Sequence, residues 1–180
     1  MEDLDRILSR AQDNVNRALA EYEAPSSTLA IEFRELKLQV CIFQYEICTE
    51  MAGLIRNRPS GFALSVALKG LVHRLYEYDQ LLSKHLINRL LALAKARGVS
   101  IDSADLKALR KQWKLELAKL TQWSDIRNET TGHYSKNIVR QVALLKGVRF
   151  SEVMDVAQAF LQFNMGILKV MKSAGAGNGA

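Results

Sequence analysis

Apolar residues recur at intervals of three and four along most of this chain, for twenty or thirty residues at a stretch, and very little interrupts them. That period lays an apolar stripe along a helix, whereas a half-buried strand needs alternation at two. Only 2 Pro and 10 Gly occur in 180 residues, and Gly175, Gly177 and Gly179 sit in the tail. So few turn residues favour long helices over many short strands. The length suits one domain, and 48% apolar residues are enough to bury a core.

Leu4, Ile7, Leu8, Ala11, Val15, Ala18, Leu19 and Tyr22 mark a first helix that should stop before Pro25. Ser26, Ser27 and Thr28 offer N-caps for a second, running to about Ile55 with Leu36, Val40, Phe43, Ile47, Met51 and Leu54 on its stripe. After the breaker Arg58-Pro59-Ser60-Gly61, the pattern predicts a third helix from Phe62 to about Ala96, kinked at Gly70 and roughly 50 Å long. Gly98 closes it. Asp102 or Ser103 opens a fourth helix to about Trp123, a fifth spans about Tyr134–Lys146 with Ile138, Val142 and Leu145 inward, and a sixth runs from Ser151 to about Met171. The fold class expected is all-α: one antiparallel bundle of five to six helices over 1–172, followed by a flexible Gly/Ala-rich tail over 173–180.

The net charge of +6 is unevenly distributed. Residues 1–53 carry 5 basic and 10 acidic side chains, 54–103 carry 8 and 3, 104–149 carry 10 and 4, and 150–180 carry 2 and 2. A basic middle after an acidic start suits either a polyanion-binding surface or two complementary faces of one bundle. Cys41 and Cys48, seven apart, would lie about 10 Å apart along a helix axis, too far for a disulfide, and read as buried thiols of a reducing compartment. The N-terminus is acidic where a signal peptide is basic, and no stretch reaches 18 uncharged apolar residues. The expectation is a cytoplasmic chain with no membrane partner.

The sites that helical bundles usually host are missing from the sequence. A di-iron centre needs two Glu-x-x-His motifs, yet Gly70, Leu82 and Thr130 precede His73, His85 and His133 by three. Two Cys and three His without close pairing make no zinc site, so no metal is expected. His73 and Glu77, four apart, are spaced to share an ion, although a hydrogen bond is the commoner use of such a pair. No phosphate-cradling Gly loop and no Gly-x-Ser-x-Gly elbow occurs. The stripes are also too long for a typical helix-turn-helix domain.

What remains is Trp123–Asn137, the densest group of polar, catalytically able side chains. In a continuous helix Arg127 and His133, six apart, would point about 120° from each other. Thr130, Thr131 and Gly132 are poor helix formers, and a break there would turn both toward one cleft. Beyond it His133, Asn137 and Arg140 follow at i, i+4 and i+7, with Lys136 alongside. Arg can grip a phosphate through two parallel hydrogen bonds, and His can move a proton near neutral pH. The same residues also suit a capped helix start with a solvated basic face.

Arg127-Asn128, four residues, then His133-Tyr134, late in an all-α chain, resembles the Arg-x(4–6)-His signature of the HEPN superfamily. The resemblance implies a helical homodimer in which two copies of the motif face one cleft, cleaving RNA without metal or other cofactor in toxin, phage-defence or RNA-processing settings. It assigns Arg127 to the scissile phosphate, His133 to general acid or base work, and Asn128 to orienting them. Tyr134, Lys136, Asn137 and Arg140 would contact RNA, and a protein antitoxin or regulator is a further partner of such proteins. The chain departs from the toxin subgroup paired with nucleotidyltransferase antitoxins, where four residues separate Arg from His and Tyr follows two after the His. Here five intervene and Tyr134 follows directly. Two readings stand beside the ribonuclease: a non-catalytic HEPN-like module binding a protein or nucleotide, and a plain helical scaffold.

Overall fold

The computed structural model describes residues 2–99, 101–131 and 137–176. Every regular element among them is helical: α1 Glu2–Glu23, α2 Thr28–Asn57, α3 Gly61–Leu81, α4 Ile87–Ala96, α5 Ser103–Lys111, α6 Lys114–Gln122, the single turn α7 Ser124–Ile126, α8 Ile138–Lys146 and α9 Phe150–Ala176. Two π-helical turns, Leu82–Leu86 and Arg127–Thr131, lie within the series. The chain forms an all-α helical bundle, and no described helix is long and apolar enough to cross a membrane.

Helices α1 and α2 make an antiparallel hairpin around Pro25. Glu21 takes the Lys37 ammonium at 2.5 Å near the turn, and Asp5 takes Arg56 at the far end. Where α2 ends, Arg58 adopts the left-handed region (φ 45°, ψ 51°), and its N–H donates to the Leu54 carbonyl at 3.1 Å. Pro59 has no N–H to continue the ladder. The chain therefore reverses into α3.

The core lies between α2, α3 and α9, through Val40, Phe43 and Ile47, Leu68, Leu71 and Leu75, and Phe160, Phe163 and Ile167. At its centre Phe43 stacks on Tyr78, and Phe160 meets both edge-on at 5.4 and 5.7 Å. Removing a ring such as Phe160 costs about 3–5 kcal/mol, because neighbours this close cannot refill the space. The Tyr78 hydroxyl donates to Asn164 Oδ1 at 2.9 Å, and Asn164 Nδ2 donates to the Val40 carbonyl at 3.1 Å. Asn164 is fully buried, and this chain of bonds ties the three central helices at a fixed register.

The sequence pattern misplaces several boundaries. The third helix passes straight through Gly70, and its irregularity comes at Leu82–Leu86. There Ser83 Oγ bonds the Asp79 carbonyl four residues back, so the hydroxyl competes with the backbone N–H and favours a widened turn. The expected fourth helix breaks at Gln112–Trp113, with neither Gly nor Pro there to signal it. Among the described residues the fifth begins at Ile138, capped by Asn137, and packs through Gln141 and Leu145, while Tyr134, its expected start, lies outside them. Its first turn projects past the core, which leaves Ile138 61% exposed where the stripe had placed it inward. Helix α9 continues into the Gly/Ala-rich segment as far as Ala176, and Gly177–Ala180 lie outside the described residues.

Candidate functional site around Arg127

The chain reaches the candidate site over two buried anchors, Trp123 and Ile126. Between them α7 makes one turn before the chain widens into the π-helical turn Arg127–Thr131. Thr130 is buried, and its Oγ1 donates to the Ile126 carbonyl at 2.5 Å, repeating the hydroxyl-to-carbonyl bond found at Ser83. Anchored through Ile126 and Thr130, the turn leaves Arg127 half-buried and Asn128 exposed.

Arg127 is held on two sides. Its Nε donates to Glu77 Oε1 at 2.5 Å, and its Nη1 donates to Asn128 Oδ1 at 3.0 Å. The arginine and glutamate side chains are 40% and 42% exposed, so the pair sits at the rim and not in the core. Arg140 reaches back from α8 to the same turn, 3.5 Å from Glu129 and 3.9 Å from Asp125. Asn137 Oδ1 accepts the Arg140 N–H at 3.0 Å, which makes Asn137 the α8 cap. Arg127, Asn128 and Arg140 are thus gathered about one turn of chain, Arg140 facing carboxylates. His133, Tyr134 and Lys136 lie outside the described residues.

Sequence reasoning did not connect Glu77 with Arg127. It singled out Glu77 only as a partner for His73. The signal available was the row Lys69, His73 and Glu77, three polar residues four apart along α3. His73 and Glu77 both line an open groove of about 760 Å³ between α2 and α3. Across it Arg74 bonds Glu50 at 2.9 Å and lies 3.2 Å from Glu46.

Asp79, two residues on from Glu77, takes Arg110 of α5 at 2.7 Å, and that guanidinium lies over the Phe163 ring at 5.8 Å. This more buried pair docks α5 on the central helices. Lys107, Lys111, Lys114, Lys146 and Arg149 are exposed and enter no ion pair among the described residues. The described residues contain no group of three or more His, Cys, Asp or Glu side chains placed to hold a metal ion.

Away from this site, burial raises both thiols, pushing Cys48 up from 9.0 to about 11. The Arg89 hydrogen bond, outweighing burial, holds the Glu35 carboxyl below its ordinary value. No family model, curated protein or solved structure matches the chain.

Proposed function

We propose that the chain is a HEPN-like, metal-independent endoribonuclease that works as a homodimer, with Arg127 and His133 of each protomer at a shared cleft. The observation that carries this reading is the clamp on Arg127. Glu77 and Asn128 fix the guanidinium at the rim of the bundle, and a fixed guanidinium can meet a phosphate without the entropic cost of ordering a loose arginine. Lys107 and Lys111 of α5, Lys114 of α6, and Lys146 and Arg149 about α8, which enter no ion pair among the described residues, come from the same part of the sequence and suit a polyanion.

In this mechanism His133 takes the proton of the ribose 2′-hydroxyl as that oxygen attacks the adjacent phosphorus. The P–O5′ bond breaks, the partner's His133 gives its proton to the departing 5′-oxygen, and Arg127 stabilises the charge on the phosphate. The products are a 2′,3′-cyclic phosphate and a 5′-hydroxyl. A cytoplasmic setting, with an antitoxin or other regulator as partner, belongs to the same reading.

Purified protein incubated with total RNA tests it. Cleavage should persist in EDTA, disappear in Arg127→Ala and His133→Ala, and stop at a single 2′-deoxy substitution at the cleaved position. Light scattering should give about twice 20.2 kDa. Cutting at the 2′-deoxy position sinks the mechanism, and a strict monomer sinks the shared cleft.

The ion pairs also favour a second reading, a non-catalytic HEPN-like module for a protein or nucleotide. Glu77, Asp125 and Glu129 offset much of the charge of Arg127 and Arg140. RNA left intact by the wild-type protein selects that reading.

A further inference from the structure

Among the described residues α1 packs on α2 and makes no more than marginal contact with any other element, and the apolar core contains none of its side chains. Ion pairs at both ends, Asp5 with Arg56 and Glu21 with Lys37, fix its antiparallel register on α2. That register sets Ala18 at the level of Cys41, Val15 at the level of Gln44 and Ala11 at the level of Cys48. Both alanines and both thiols are buried, so the two helices meet through a run of small side chains. Gln44 is 9% exposed, and its Oε1 is buried without a hydrogen-bond partner; the valine at its level has no donor to offer. A contact of small residues over an unsatisfied amide oxygen adds little stability, and units held in that way open while the rest of a fold stays closed. When α1 lifts, Gln44 regains water and both thiols are uncovered.

We propose that α1 is a releasable cover over a thiol-modification site, and that a small disulfide of the glutathione class caps Cys41 and Cys48 when α1 lifts and then holds it off. An uncovered thiol loses its proton to solvent, its thiolate attacks one sulfur of the small disulfide, and the new S–S bond forms as the old one breaks. The cysteine sulfur is oxidised, and the other half of the reagent departs as a thiolate that takes up a proton. Cys41 and Cys48 lie about two turns apart on one helix and cannot resolve the adduct by bonding each other. Thiols this deeply buried leave no room beside Ala18 and Ala11 for a tripeptide, so the capped chain cannot close α1 until a reductant removes the adduct.

The test incubates the full chain with glutathione disulfide in urea below its global unfolding transition, counting adducts by intact mass and following backbone opening by hydrogen exchange. Dilute urea raises the population of the open form without unfolding the core. Both thiols should be capped at a rate that follows exchange of the α1 amides, in urea that leaves α9 protected. The capped protein should lose protection over α1, since a released helix of 22 residues is marginal in water, and keep it over α3 and α9. Dithiothreitol should restore the original pattern. Gln44→Leu puts an apolar side chain where the orphaned oxygen was and should slow capping about fivefold or more. A chain carrying both Cys41→Ala and Cys48→Ala should keep α1 protected in the same disulfide. Capping that waits for α9 to unfold, or that leaves α1 protected, overturns the proposal. So does a Gln44→Leu protein capped as fast as wild type, or loss of α1 protection in the chain without thiols.

Discussion

Replacing Glu77 with Ala separates what the Arg127 clamp does for folding from what it does for chemistry. Both partners are about two-fifths exposed, and ion pairs of that kind contribute only about 0.2–1 kcal/mol. For a chain of this size about 1 kcal/mol moves the melting point by about 2–4 °C, so Glu77→Ala should melt no more than about 4 °C below wild type. The effect on rate should be much larger. Without its carboxylate the Arg127 guanidinium loses a contact that fixes it, and a misplacement of about 1 Å in a catalytic group costs about 100-fold. Glu77→Gln keeps an oxygen acceptor for Nε and should recover part of that loss. Initial rates on a fluorogenic RNA, measured beside thermal melts of the same preparations, give both quantities. An unchanged or faster Glu77→Ala protein refutes the reasoning, because Glu77 would then only neutralise an arginine that binds phosphate better without it.

Asn164→Ala should lower the melting point by about 2–12 °C, since leaving the buried Tyr78 hydroxyl without its acceptor costs about 1–3 kcal/mol. An unchanged melting point would show that the bonds linking α2, α3 and α9 add nothing to the apolar core. Cys41 and Cys48 should react with a thiol reagent only after denaturant is added. Because the folded chain holds the Cys48 proton up to about 11 while the unfolded chain releases it near 9.0, stability should fall as pH rises through that window, and Cys48→Val should fall less steeply. Replacing Lys107, Lys111 and Lys114 with Gln should weaken single-stranded RNA binding and flatten its logarithmic salt dependence by roughly 2 units, at about 0.7 per lost phosphate contact. A parallel, unflattened line would place the RNA elsewhere on the surface.

The long stripes of α2, α3 and α9 were legible because apolar spacing records which face is buried, and Leu36, Leu68 and Leu75 lie in the core as their period requires. The interruptions were not, because they arise from hydroxyl bonds and docking contacts and not from Pro or Gly. Ser83 and Thr130 look like ordinary helix residues until their bonds to the carbonyls of Asp79 and Ile126 are seen. The break at Gln112–Trp113 likewise leaves no trace in the period, since Leu106, Leu109, Trp113, Leu117 and Leu120 would make an unbroken stripe on one helix. At the site, residue type and local spacing pointed to Arg127 and Asn128, which are adjacent. Glu77 is fifty residues away in sequence, and only the packing of the π-helical turn on α3 brings it to Arg127.

The uneven charge of the chain is resolved in two different ways. Part of the acidic first segment is matched by the basic segment that follows it: Asp5 pairs with Arg56, Glu35 with Arg89, and Glu46 and Glu50 with Arg74. These pairs are complementary faces of one bundle, and their cations are already committed to the fold. In the third segment Lys119 pairs with Glu152, and Arg140 with Glu129 and Asp125. Arg110 and Arg127 take Asp79 and Glu77 from α3, while Lys107, Lys111, Lys114, Lys146 and Arg149 stay exposed and outside any described ion pair. Excess positive charge that the fold does not use costs self-repulsion, and it is concentrated in the segment that also carries Arg127 and His133. A polyanion at that surface relieves the repulsion, whereas an acidic protein partner would have to match the same charges with ordered carboxylates. Phosphates spaced along a flexible strand meet that requirement with less ordering, which is why RNA is the partner we favour over a folded one.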